Sequence, residues 1–304
     1  MLIAELNQTR RLGCEFEFVL PQLSIGDGSD ARRTFAEILT ANGLRAVARS
    51  YGHLPVPADC DWAVEFDSSV RGTSEFHGIR WVSLEMKTRP LMGMDDWERV
   101  VPKALAIARY LGGRVNASTG HHIHVEATEV RSDPTIVRSL YNVVHRYEPL
   151  ILGLLAPSRR ANQYAMPLPD RPGLLAKCKS LECFRDAMGF LTRYYGLNVN
   201  HLWGVEPRVE YRWHQGTLDV EKARHWARFV LRLTDHAVTR DCRSATKQLA
   251  NERANLDKML ISIGLKVNTR VYAKVAPELR GTGRHLLARW KHFHNGGAPV
   301  GGEA

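Results

Sequence analysis

Gly13-Cys14-Glu15-Phe16-Glu17-Phe18-Val19-Leu20 alternates carboxylate and apolar side chains with period two, the signature of a strand with one buried face. Pro21 ends the run. On such a strand Glu15 and Glu17 project from the same side, about 6.6 Å apart because each residue advances about 3.3 Å. Cys14, Phe16 and Phe18 then face the core. One strand of this kind reads as half-buried with a wetted polar face, but the pattern recurs. Asp61 to Asp67 and Trp81 to Lys87 again mix β-formers with acids, joined by a connection through Gly72 and Gly78. Glu65/Asp67 form a second i, i+2 acidic pair, and Glu85 stands in an otherwise apolar run. His122 and His124 alternate with Ile123 and Val125, as Glu210 and Arg212 do with Val209, Tyr211 and Trp213.

Helical spacing appears between these strands. Phe35, Ile38 and Leu39 predict a helix from Asp30, a plausible cap, to Asn42, with Gly43 as the stop. Asp95 to Leu111 predicts another, with Pro102 kinking it or marking its first turn. Asp133-Pro134 reads as a cap followed by proline at the first position of a long helix reaching Leu155. Ala156 to Gly173, rich in Pro and Arg, predicts an ordered loop, Leu197 to Trp203 and Arg208 to His214 the last strands, Asp219 to His292 helix throughout, and His294 to Ala304 a mobile Gly-rich tail. Strands interrupted by helices, with no G-x-G-x-x-G after the first, predict α+β with a largely antiparallel sheet.

If the acidic strands share a sheet, one face becomes a floor of carboxylates, imidazoles and arginines. Two unit charges about 7 Å apart repel by roughly 2.4 kcal/mol at an effective dielectric near 20, so such a cluster calls for cations. A divalent metal is the simplest remedy, and oxygen-rich ligands with one imidazole suit Mg²⁺ or Mn²⁺ better than Zn²⁺. No H-E-x-x-H occurs. The turn Asn116-Ala117-Ser118-Thr119-Gly120 before the histidines is small and polar, as backbone approaching a ligand must be. Arg159 and Arg160, with Asn162 and Tyr164, offer guanidinium groups suited to carboxylate or phosphate, and Arg193, Asn198 and Asn200 are further candidates.

Composition sets the outer bounds. The 304 residues suffice for one large core or two ordinary ones, and 44% hydrophobic with 24% charged side chains is globular. No run approaches the ~18 apolar residues of a membrane span, and the start MLIAELNQTRR has no apolar leader core, so a cytoplasmic address is expected. Five scattered cysteines without a C-x-x-C pair are expected to be reduced thiols. The net charge of +10 is concentrated in residues 221–304, where 16 basic side chains face 7 acidic ones.

The ordered set Gly13 to Glu17, Asp67-Ser68-Ser69, Val82 to Glu85, Asn116 through Val125, Ser158 to Tyr164 and Val209 to Asp219 resembles the amidoligase family of the glutamine synthetase-like carboxylate–amine ligases. The likeness spans residues 10–240. Serines at 68 and 69, where the family usually shows glycine, and Thr119, where cysteine is common, are departures. The resemblance implies an antiparallel sheet curved into a partial barrel, ATP, two or three Mg²⁺ or Mn²⁺ ions and an acyl-phosphate intermediate. It places Glu15 and Glu17 on different ions, Glu85 with the Glu17 ion, and His122 and Glu210 with the Glu15 ion. His124 and Arg159 or Arg160, with Asn116 and Asn162, lie towards the nucleotide. Arg212 lies towards the reacting carboxylate or γ-phosphate, and Asp67 is a candidate to position or deprotonate the amine.

The domain layout expected from this is a catalytic domain over 1–240, a basic helical extension over 241–293 packed on it, and the tail from 294. The expected partners are small-molecule or peptide carboxylates and amines. Two other readings compete: a metal-dependent hydrolase using the same acids, and a polyanion-binding module built on the basic C-terminal helices, where Lys258 to Arg270 around Gly264 could form a helix-turn-helix. No base-reading signature accompanies that charge, so nucleic acid is not the expected partner. Those helices are better read as covering the sheet or making a contact between two copies of the chain.

Overall fold

The computed structural model of the chain describes residues 2–25, 31–50, 55–72, 79–171, 173–240, 242, 244 and 247–294. It is a mixed α+β fold with a mostly antiparallel sheet. Two compact units are formed. Of the described residues, one unit, here the Glu15 unit, takes those of Arg11–Ile123 and His214–Arg224; the other, the Glu210 unit, takes those of 2–10, His124–Trp213 and 225–294.

In chain order the first elements are β1 (Leu2–Ala4), β2 (Arg11–Pro21), α1 (Gln22–Ile25), α2 (Ala31–Ala41), β3 (Ala46–Ala48), β4 (Trp62–Glu65), β5 (Trp81–Thr88), β6 (Leu91–Met92), α3 (Gly93–Tyr110) and β7 (Gly120–Glu126). In the Glu15 unit the strand order is β3-β4-β5-β2-β7, with β6 also on β2. β2 runs antiparallel to β5, and β4 antiparallel to β5, while β3 and β4 are parallel. The alternation of β2 works as its sequence dictates: Cys14, Phe16 and Phe18 are buried, and Phe18 meets Phe35 of α2 edge-on at 5.5 Å. Helix α2 buries Ala31, Phe35, Ala36 and Leu39, and α3 buries Met94, Trp97, Val101, Leu105 and Ala108, both at helical spacing. Pro102 lies inside α3, which runs through it. The carboxylate face is not wet, however. Glu17, Glu65 and Glu85 are 6%, 1% and 3% exposed.

The remaining elements are α4 (Ile136–Gly153), α5 (Pro157–Arg160), α6 (Leu181–Ala187), β8 (Leu197–Asn198), β9 (Arg208–Gln215), α7 (Val220–Thr239), α8 (Arg253–Ser262), β10 (Tyr272–Val275) and α9 (Pro277–His294). In the Glu210 unit β8 runs antiparallel to β9, and β1 pairs in parallel with β10. Helices α8 and α9 pack against α4. A buried arginine ties this unit together: Arg10 donates to Asp235 at 2.6 Å, to the Glu126 carbonyl at 2.8 Å and to Glu129 at 2.5 Å.

Several expectations are corrected. Residues 219–292 are not helical throughout, because β10 forms where Leu2, Ile3 and Ala4 supply a pairing edge. The helix-turn-helix reading fails for the same reason: after α8 and Gly264 (φ 75°) the chain enters a strand. The long helix starts at Ile136, since Asp133 Oδ1 accepts from the Thr135 amide at 3.0 Å and holds a turn there. The predicted strand at 197–203 shortens to β8, and the loop at 156–173 contains the short helix α5. Cys178 and Cys183 are joined as a disulfide, so not every cysteine is a reduced thiol; Cys14, Cys60 and Cys242 take part in no disulfide. The predicted cap Asp30, Gly78 in the β4–β5 connection and the tail beyond His294 lie outside the described residues. Among the described residues no helix is long and apolar enough to cross a membrane.

Candidate functional site

Register builds the acidic cluster. On three neighbouring strands of the Glu15 unit, Glu85 of β5 stands directly opposite Glu17 of β2 on one side and Glu65 of β4 on the other. Like charges facing each other across strands destabilise a sheet, so the arrangement needs compensation. Part of it comes from Lys87, two residues along β5 on the same face. Its ammonium lies 3.1 Å from Glu65 and 2.9 Å from Glu85. Burial alone would lower the Lys87 pKa, but Glu15, Glu85 and Glu65 outweigh it and hold the ammonium charged. For Glu85 the balance goes the other way. Burial, and then the charge of Glu15, push its carboxyl well above the ordinary range despite Lys87.

His122 of β7 joins the same cluster. Its Nδ1 lies 3.2 Å from Glu15 Oε2, and its Nε2 lies 3.6 Å from Glu17 Oε1. The Gly120 amide donates to Glu17 Oε2 at 2.6 Å. Only glycine permits this approach, because a Cβ there would stand 2.6 Å from His122 Nε2 and 3.3 Å from Glu17 Oε2. Next in sequence, His121 faces the core, stacked on Phe16 at 4.1 Å, and burial holds its pKa down to about 3.

Two groups of ligand atoms result. Glu15, Glu85 and His122 offer three atoms within 4.8 Å of one another, and Glu17, Asp67 and Glu85 offer another three. Glu85 belongs to both. The donor set fits hard divalent cations: oxygen-rich, one imidazole, and more buried carboxylates than Lys87 can neutralise. Asp67 is positioned by its own turn, accepting from the Ser69 amide at 2.6 Å. Asn116 is engaged locally: its Oδ1 accepts from the Ser118 amide at 2.9 Å, and its Nδ2 donates to the Arg71 carbonyl at 2.9 Å.

A second cluster belongs to the Glu210 unit. His124, His201 and Glu210 bring three ligand atoms within 4.8 Å of one another. Asn198 donates to Glu210 Oε2 at 2.6 Å, and Arg212 pairs with Glu210 Oε1. Arg208 lies 3.3 Å from His201 Nδ1. With two guanidinium groups beside one carboxylate and two imidazoles, this cluster can receive an oxyanion as readily as a cation.

Behind it the strand is clamped. Arg159, 2% exposed, donates to the carbonyls of Trp213 at 3.2 Å and Arg212 at 2.7 Å. The Trp213 indole donates to Glu148 at 3.2 Å, and Glu148 also accepts from the Leu168 amide at 2.7 Å. Burial raises the Glu148 pKa to about 8. Gly196 makes room for this indole, which any Cβ there would strike.

The other predicted side chains are engaged nearby. Arg160 donates to the Leu155 carbonyl at 3.2 Å and lies 5.7 Å from the Phe293 ring centre. Asn162 Oδ1 accepts from the Tyr164 amide at 2.7 Å. Sequence reading did not single out Lys87 or His201. Lys87 was legible, since it shares period-two alternation with Glu85, whereas His201 sits in a turn that gives no such signal.

Comparison with known proteins places the chain in a family. The sequence profile of the family described as "Putative amidoligase enzyme" matches residues 8–234, three quarters of the chain, and the chain belongs to that family. No curated protein matches. Among solved structures, one similar chain comes from the crystal structure of the complex between the prokaryotic ubiquitin-like protein Pup and its ligase PafA. The identity is 10% and the TM-score 0.39, with 96% of this chain and 65% of that one covered.

Proposed function

We propose that the protein is an ATP-dependent carboxylate–amine ligase acting on an amino-acid or peptide-like substrate through an acyl phosphate, with the curved, partly closed sheet of the glutamine synthetase-like enzymes. One observation carries this beyond family membership: two ligand groups, buried except for the half-buried Glu15, share Glu85. Amide formation from a carboxylate and an amine is uphill in water, so the carboxylate must first take a phosphoryl group. Bound Mg²⁺ or Mn²⁺ would neutralise the triphosphate and draw charge from the phosphoryl group in transfer.

The chain's own part in this scheme is to hold and orient. Glu15, Glu17, Glu85 and His122 serve as metal ligands, with Gly120 fixing Glu17 and Lys87 limiting the repulsion. Asp67, at the edge of the cluster, is suited to accept a proton from an incoming ammonium. In the Glu210 unit, Glu210 serves as a further ligand, while His124 and Arg212 face anionic groups of nucleotide or substrate. Arg159 supports Arg212 through the main chain of β9. Arg160, Asn116 and Asn162 would have to exchange their present main-chain partners to reach a nucleotide.

The test is ADP release by purified protein with Mn²⁺, ATP and panels of carboxylates, using hydroxylamine as a general amine. ADP and hydroxamate appearing together, only when both substrates are present, are expected. Turnover of amides without nucleotide would instead favour a metal-dependent hydrolase.

A further inference from the structure

The disulfide lies in a segment that none of this chemistry uses. Cys178 is buried and Cys183, in the first turn of α6, is exposed. Their Cα atoms are 5.4 Å apart across five positions of sequence. Arg138 of α4 grips both ends of the loop, donating to the Cys178 carbonyl at 2.6 Å and lying 5.8 Å from the Phe184 ring centre. Ser180 Oγ accepts from the Cys183 amide at 3.2 Å, capping α6.

We propose that Cys178–Cys183 is a reversible oxidation site, exchanging with low-molecular-weight disulfides of the glutathione class. Three features argue for this over a structural staple. A cross-link stabilises mainly by restricting the unfolded chain, and the effect grows with loop length, so a loop this short contributes little. Cys183 is an exposed residue, on the side from which a small disulfide would approach. Lys177 and Lys179, both exposed, precede and follow Cys178 in the sequence, and a basic neighbourhood favours the thiolate with which Cys178 completes the exchange.

The exchange balances as two displacements. The Cys183 thiolate attacks a sulfur of oxidised glutathione, breaking that S–S bond and releasing one glutathione thiolate. The Cys178 thiolate then attacks the Cys183 sulfur of the mixed disulfide and expels the second glutathione. Two electrons pass from the protein thiols to the glutathione disulfide, and the two thiol protons end on the released glutathione. Oxidised, the loop carrying Lys179 is closed onto α6. Reduced, it would keep only the Arg138 contacts and the Ser180 cap that stand beside the disulfide.

The full-length chain is equilibrated in glutathione buffers of graded ratio, quenched with acid, alkylated with N-ethylmaleimide and mapped by mass spectrometry; parallel samples receive brief trypsin treatment. Adducts at Cys178 and Cys183 are expected to disappear together as the oxidised fraction rises, with cleavage after Lys179 at least tenfold faster in the reduced form. Cys60→Ser should keep this transition. Cys183→Ser, a substitution at an exposed position, should cleave at the reduced rate in every buffer. A disulfide that persists in excess reduced glutathione, thiols that persist in excess oxidised glutathione, or equal cleavage rates would each overturn the proposal.

Discussion

Lys87 decides whether the acidic strands can coexist without metal. Glu65 and Glu85 are nearly sealed from water, and the Lys87 ammonium lies within 3.1 Å of both. Replacing it by methionine keeps the stem and removes the charge. Lys87→Met is therefore expected to lose about 3 kcal/mol of stability, the usual cost of stranding buried carboxylates. Mn²⁺ should return part of the loss, as read by chemical denaturation with and without the ion. Gly120→Ala tests the opposite side of the cluster. The new methyl meets His122 and Glu17, so Mn²⁺ affinity should fall by roughly 10- to 100-fold, the usual penalty for disturbing the shell that orients ligands. An unchanged Mn²⁺ titration would contradict the role given to that amide. These two residues also differ in legibility. Lys87 obeys the alternation of its strand, while the need for glycine at 120 arises from a close approach between side chains distant in sequence.

Strand β9 shows how secondary structure aims a side chain without touching its chemistry. Arg159 holds its main chain at residues 212 and 213, and Glu148 holds its indole at Trp213. Because burial raises the Glu148 pKa from 4.5 to about 8, the native state binds that proton more tightly than the unfolded chain. The associated stability is full below about pH 4.5 and is lost as pH rises through about 8. Glu148→Gln cannot titrate, so its stability relative to wild type should improve steadily from pH 5 to about 8.5, as measured by denaturant midpoints. A constant difference across that range would show that Glu148 is not the titrating group. Period-two patterns located β2, β4, β5, β7 and β9 in the sequence, because each sets apolar side chains on one face against acids, imidazoles or arginines on the other, and the pattern is local. The parallel β1–β10 pair was not legible, since it depends on partners far along the chain, and nor was the brevity of β8, which pairs with β9 through Leu197 and Asn198 alone. The disulfide was hidden too: five residues of spacing do not fix whether two Cα atoms come within bonding reach.

Across the whole chain, the sequence carried the family and most acidic ligands, whereas which ligands group together is a matter of register. Glu85 illustrates the gap, since only pairing with β2 and β4 reveals that it stands between Glu17 and Glu65. The excess positive charge is a separate matter. It lies in residues 221–304, which supply none of the candidate ligands, so the ligase activity proposed above should lose less than about threefold between 50 and 200 mM salt, far below the losses of phosphate-tracking proteins. The claim on which the rest depends is that the carboxylate cluster of the Glu15 unit holds divalent cations. Equilibrium dialysis with Mn²⁺, comparing wild type with Glu17→Gln and Glu85→Gln, tests it most directly. Binding at both groups is predicted for wild type, with one group weakened by Glu17→Gln and both by Glu85→Gln, the shared residue. Wild-type protein that retains no Mn²⁺, or variants that bind it as wild type does, would contradict the account.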